Sequence, residues 1–123
     1  MREKMKIPGL MFMLLFMSLA VNTAMAMDAQ EGEASYYADT LDGNKTASGA
    51  VYDKDALTAA HRTLPFGTRV KVTYLKTGNS VEVVINDRGP RAKSRIIDLS
   101  GAAASKVGMI DDGHGKVKLE VLE

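Results

Sequence analysis

The 123-residue chain has no cysteine, no tryptophan and only three prolines, and aromatic residues make up 6% of it. The missing cysteine excludes the disulfides with which small exported domains often supplement a thin core. With only two histidines besides, a zinc site is not expected. No block of five or more Lys/Arg occurs, and the net charge is +1, so nothing marks a nucleic-acid partner. A long apolar run is also lacking. The stretch Leu10–Val21, broken by Ser18, is shorter than the roughly 20 residues of a membrane-spanning helix. Neither a Gly-rich phosphate loop nor a nucleophile elbow is present, and no cofactor is implied.

What the N-terminus does contain is ordered by charge and size. Arg2, Lys4 and Lys6 precede the apolar stretch, and Ala24-Met25-Ala26 follows it. Positive head, apolar middle and A-x-A end make residues 1–26 a secretory signal peptide. The expected product is exported, periplasmic or secreted. Met27 stands where a bacterial lipoprotein needs cysteine, so no stable membrane anchor is expected after cleavage. Residues 27–123 are close to neutral and long enough for one domain, which we expect to be monomeric. Such a chain buries roughly two-thirds of its unfolded surface, so a closed core must supply the stability.

Polar residues Met27–Glu31 read as a flexible N-terminus, followed by a strand from Gly32 to Ala38. Leu41–Tyr52 is rich in turn formers, and Leu57–Ala60 is a short apolar segment. In Thr68–Leu75, Val70, Val72 and Tyr74 alternate with polar residues. In Ser80–Asn86, Val81, Val83 and Ile85 alternate with Glu82, Val84 and Asn86. Period two marks strands, and Lys76-Thr77-Gly78-Asn79 joins them as a hairpin. Arg95–Leu99 is a further strand. Ser100 is placed to cap a helix over Gly101–Val107 that Gly108 ends, and Lys116–Leu122 is the last strand. A faint echo relates Leu57–Leu75 to Ile96–Leu122, as two halves of a closed barrel would require.

Three stretches set polar groups at the end of apolar segments: Thr58–Pro65 with His61, Val84–Pro90 with Asp87, and Arg95–Ser100 with Asp98. Each has an architectural reading beside a functional one. His61 could be a packing residue, Asp87 a turn stabiliser, and Asp98 a partner for Arg95 or a helix cap. The basic group Arg88, Arg91, Lys93 and Arg95 is either a solvated loop or a seat for an acidic ligand such as a carboxylate-bearing wall polymer.

Together these stretches resemble the RlpA-like (rare lipoprotein A) double-psi β-barrel. That family reads roughly G-x-A-S-W-Y-G, T-A-N-G-E-x-Y-D, L-T-A-A-H-K-T-L-P, V-x-V-N-D-R-G-P and R-I-I-D-L-S-x-A-A-A. The counterparts are Gly32–Ala38 (GEASYYA), Thr46–Asp53 (TASGAVYD), Leu57–Pro65 (LTAAHRTLP), Val83–Pro90 (VVINDRGP) and Arg95–Ala104 (RIIDLSGAAA). The resemblance covers residues 32–122 and implies an all-β, six-stranded double-psi barrel with one or two short helices. It also implies an endolytic lytic transglycosylase that cuts peptidoglycan between N-acetylmuramic acid and N-acetylglucosamine, leaves 1,6-anhydro ends and prefers naked glycan strands. Carried over by motif, Asp87 becomes the acid/base, with His61 bonded to it or to substrate. Thr46, Arg88, Arg95 and Asp98 support or bind, and Tyr36 and Tyr37 stack on sugars. Arg88 would hold the Asp87 carboxyl down unless its guanidinium turns elsewhere. Two departures stand out. Ala50 occupies the position of the family's acidic residue, and Tyr36 that of its tryptophan. The first keeps an alternative open: an inactive wall-glycan-binding module, like the expansin and barwin relatives of the fold. The chain ends just after the barrel, so no C-terminal wall-binding repeat is expected.

Overall fold

A computed structural model describes residues 29–122. The expected signal peptide, residues 1–26, lies outside the described residues, as do Met27 and Asp28. Six strands occur in chain order: β1 (Ala29–Tyr36), β2 (Thr58–His61), β3 (Arg69–Tyr74), β4 (Ser80–Asp87), β5 (Arg95–Leu99) and β6 (His114–Val121). A 3-10 turn, Asp39–Leu41, follows β1, and one helix, α1 (Gly101–Val107), precedes β6.

The strands close into a barrel in the order β1-β5-β2-β4-β3-β6. β1 runs parallel to β5 and β2 parallel to β4; the other four contacts are antiparallel. Exchanging β1 with β4, β2 with β5 and β3 with β6 maps this set of pairings onto itself. The weak repeat in the sequence is therefore a pseudo-twofold in the structure. Closure leaves no free sheet edge.

Period-two alternation determines which side chains meet inside. Val70, Val72 and Tyr74 of β3, Val81, Val83 and Ile85 of β4, and Val117 and Leu119 of β6 are buried, and Ile97 and Leu99 of β5 join them. Helix α1 contributes Ala103, Ala104 and Val107, and Met109 follows from the turn behind it. Its start is built by Ser100, fully buried, whose Oγ accepts from the Ala103 amide and donates to the Ala56 carbonyl at 2.6 Å. Its end is Gly108 at φ 81°, where the amide returns to Ala104 and Ser105.

One expectation is corrected. Ala29–Glu31 are not a flexible tail but the first residues of β1, paired with Glu120, Leu119 and Lys118 of β6. Their side chains are exposed, which explains the polar sequence; the backbone is held by an antiparallel partner that local composition does not reveal.

Gly115 of β6 makes room for a core residue. A Cβ there would stand 2.4 Å from Cε1 of Tyr74. The Tyr74 ring is buried over that glycine, and its hydroxyl donates to Asp112 at 2.6 Å. That bond and burial push the Tyr74 hydroxyl up to about 12. Asp112 also accepts from Lys76 at 2.9 Å, and its carboxyl is held below its ordinary value by Tyr74 and then Lys76.

Candidate functional site

β2 lies between β5 and β4, and its Ala60 is in register with Asp98 on one side and Asp87 on the other. Two carboxylates thus flank a methyl side chain, about 10 Å apart at their Cα atoms from ordinary strand spacing. The small residue leaves space above it. The resulting open groove holds about 400 Å³ and is walled by Tyr36, Tyr37, Ala60, Asp87, Arg95 and Asp98 among others.

Asp87 is seated by donors from three directions. Its Oδ1 accepts from the Ala47 amide and from the Arg88 amide, both at 2.8 Å. Its Oδ2 accepts from the Tyr37 hydroxyl. Tyr37 is anchored through its amide to the Leu99 carbonyl at 2.9 Å. It stacks on Tyr52 at 4.4 Å between ring centroids. Burial first, then the bond to Asp87, drives the Tyr37 hydroxyl far above its ordinary value, so it stays a donor at physiological pH.

The loop bearing Ala47 is held by Thr46. This residue is buried, and its Oγ1 donates to the Ala50 carbonyl at 2.7 Å. Thr46 therefore supports the loop from inside. Tyr36 lines the groove while its hydroxyl donates to the Ile110 carbonyl at 2.7 Å. One face of Tyr37 is taken by Tyr52, and the residue also lines the groove. Asp98 accepts from Ser35 Oγ at 2.7 Å and has Arg95 Nε at 3.6 Å.

The two arginines next to the motif ends are structural fasteners. Arg88 donates to the carbonyls of His61 at 3.1 Å and Leu64 at 2.8 Å, and lies over the Phe66 ring at 4.1 Å. Its guanidinium is thereby turned to the 61–66 segment rather than to the Asp87 carboxylate. Arg62 answers in the opposite direction, donating to Pro90 and Arg95 carbonyls at 2.7 Å and to Ala92 at 3.3 Å. The loop after Asp87 and the turn after His61 are clamped to each other through main-chain oxygens.

His61 does not join Asp87. Successive strand residues point to opposite sides, so Ala60 faces the groove and His61 turns away from it. The imidazole lines a separate cavity with Gln30, Leu64 and Leu119. Its Nδ1 accepts from the amides of Thr63 and Leu64, both at 3.1 Å. The proton is then on Nε2, which faces Gln30 Oε1 at 3.4 Å. The expectation that the imidazole tunes Asp87 is overturned by this geometry: the ring fastens the turn.

Burial, then Arg62 and Arg88, lowers the His61 pKa below 6.5. The unfolded chain takes up the proton first on acidification, so this residue's contribution to stability falls as pH drops below about 6.5 and levels off beneath the folded value. Urea midpoints at pH 7.5 and 5.0 test this. The wild type should lose more stability across that interval than His61→Asn, whose carbonyl still reaches the Thr63 amide. Equal losses would show that the imidazole does not titrate in this way.

Sequence reasoning did not single out Tyr52, Ser35, Ala47 or Arg62 for the site. All four lie in the motif stretches quoted above, but what each touches is set through backbone groups or across strands, which no local signal carries. Among the described residues no group of three or more His, Asp or Glu gathers as for a metal ion. No described helix is long and apolar enough to cross a membrane.

Comparison with known proteins follows the same outline. A family model described as lytic transglycolase matches residues 29–119. The probable endolytic peptidoglycan transglycosylase RlpA of Synechocystis is 53% identical over 92 residues, covering 75% of this chain and 29% of the relative. The endolytic peptidoglycan transglycosylase RlpA of Pasteurella multocida is 50% identical over 95 residues, covering 77% and 32%. The chain thus spans about a third of the length of these relatives. Among solved structures, the Streptomyces papain inhibitor superposes with a TM-score of 0.63 at 26% identity, over 77% of this chain and 94% of that one. An expansin of Clavibacter michiganensis superposes with a TM-score of 0.61 at 20% identity, over 77% and 50%. The closed six-stranded barrel, the motifs at its groove and these matches agree: the chain belongs to the lytic transglycolase family, as an RlpA-like double-psi β-barrel.

Proposed function

We propose that this domain is an endolytic lytic transglycosylase acting on peptidoglycan outside the cytoplasmic membrane, with Asp87 as its acid and base. The observation that carries the reading is the seat of Asp87, a carboxylate held by three donors on the floor of an open groove with aromatic walls. The half-identical RlpA relatives supply the substrate class.

In this scheme the protonated Asp87 carboxyl gives its proton to the glycosidic oxygen. The bond from muramic C1 to that oxygen breaks, and N-acetylglucosamine leaves with a free 4-hydroxyl. The muramic C6 oxygen then bonds to C1, and its proton returns to Asp87. The product is a 1,6-anhydro end, and no water is consumed. One carboxyl serves both transfers, unlike two-carboxylate hydrolysis. Tyr37 and the two amides hold Asp87 in one place throughout. Tyr36 and Tyr37 are positioned for sugar rings, and Asp98 lies across Ala60 as a second polar contact. The preferred substrate is glycan stripped of stem peptides.

A second reading has its own observation. Ala50 stands at the family's acidic position, on the loop whose Ala47 amide holds Asp87, and alanine can neither give nor take a proton. In that reading the barrel holds wall glycan without cutting it.

Incubation of the purified protein with peptidoglycan and with denuded strands, followed by mass spectrometry for 1,6-anhydromuramic ends, separates the two. Anhydro ends are the expected result, with Ala50→Glu raising their rate roughly 100-fold, the lower end of general acid–base effects. Co-sedimentation with the wall and no anhydro product, even in Ala50→Glu, would leave the binding reading in its place.

A further inference from the structure

Asp87 is one member of a longer row. Its Cα is in register with Ala60, Ala60 with Asp98, Asp98 with Ser35, and Ser35 with His114. The row crosses five strands, β4-β2-β5-β1-β6. Four steps at strand spacing make it roughly 19 Å long.

A second depression of about 430 Å³ lies over the far end of this row, walled by Glu33, Ser35, Ser94, Arg95, Gly113 and His114. Ser35 and Arg95 are walls of both depressions. The two form one trough, with Asp87 in one half and Arg95 at the junction.

Among the described residues two arginines on these walls, Arg91 and Arg95, donate no side-chain hydrogen bond, and Arg95, which lines both depressions, is the one at the junction. Arg62 and Arg88 are spent on main-chain carbonyls. The Nε of Arg95 is buried and has no hydrogen-bond partner among the described residues. Asp98 Oδ1 is 3.6 Å away, too long for a hydrogen bond, and it already accepts from Ser35. Glu33, in register with Arg95, is turned to His114 Nδ1 at 3.6 Å. A guanidinium in this condition, beside a groove and partly open to solvent, matches a planar carboxylate.

We propose that Arg95 reads a carboxylate carried by the glycan, in a strand laid along the trough from Asp87 toward His114. The proposal rests on the reading of the groove as a glycan site and adds the feature it selects. In muramic acid the lactyl carboxylate is free only where no stem peptide is attached. Arg95 would therefore be the residue that favours stripped strands.

The test compares denuded strands with the same strands after conversion of their carboxyls to amides, by calorimetry on the purified protein. Wild type should bind the free-carboxyl form about 10-fold tighter, as loss of one charge-assisted pair implies. Arg95→Met should bring the two forms to equal affinity by weakening only the free-carboxyl form. Arg95→Lys should fall between, since it keeps the charge and loses the fork. Equal binding of both forms by wild type, or an equal loss on both in Arg95→Met, overturns the proposal. Anhydro ends formed from both strand forms at equal affinity would do so while leaving the cutting reading intact. Failure of wild type to bind either form removes both readings.

Discussion

Asp87→Asn loses the formation of 1,6-anhydro ends by about 10³-fold or more, within the range that a positioned acid–base group supplies, and keeps its fold. The substitution is nearly isosteric. The asparagine oxygen can still accept the Ala47 and Arg88 amides, which converge on one carboxylate oxygen in the wild type. The new amide nitrogen faces Tyr37, whose hydroxyl can turn to accept from it instead of donating. Only the capacity to carry a proton to and from the sugar disappears.

A second readout belongs to the same variant. Burial is the largest cause of the Tyr37 shift, and the Asp87 hydrogen bond and charge come next. Removing the charge should bring the phenol titration down, by absorbance, without restoring its ordinary value. A variant that still forms anhydro ends at the wild-type rate would remove Asp87 from the chemistry. Loss of product together with loss of the native melting transition would indicate a structural role only.

Gly115→Ala should lower stability by about 2 kcal/mol, the middle of the range for overfilling a packed core. For a domain of this size that is about 8–16 °C in Tm. The added methyl would meet two ring carbons and the hydroxyl oxygen of Tyr74, all closer than 3.0 Å. The ring has no easy retreat. It is buried in the barrel, and its hydroxyl is tied to Asp112. Overlap of this kind is a pairwise effect, so combining Gly115→Ala with Tyr74→Leu should cost less than the sum of the single changes. A melting temperature for Gly115→Ala within about 2 °C of wild type would mean that the glycine is not needed for close packing.

Some of the architecture was plain in the residues. Period-two alternation marked β3 and β4 to within a residue at their ends, because one face of each is wet and the other is core. Ser100 and Gly108 marked the bounds of α1 through capping chemistry local to the helix. The beginning of β1 was not legible. Ala29–Glu31 read as a tail, since their side chains face water and what orders them is the β6 backbone more than 80 residues away. His61 shows the same limit in the site. Its motif suggested a partner for Asp87, yet one step along a strand reverses the direction of a side chain, and parity relative to the groove depends on how β2 is registered against β4.

The amino-acid sequence alone determined the strands that alternate and the helix with its caps, because these rest on near neighbours in the chain, while the residues of the groove were marked by the family resemblance. Closure of the barrel, the row from Asp87 through Ala60, Asp98 and Ser35 to His114, the turning of Arg88 toward carbonyls and the exclusion of His61 from the groove were decided by tertiary structure. Each depends on register between strands distant in sequence, which no local pattern carries.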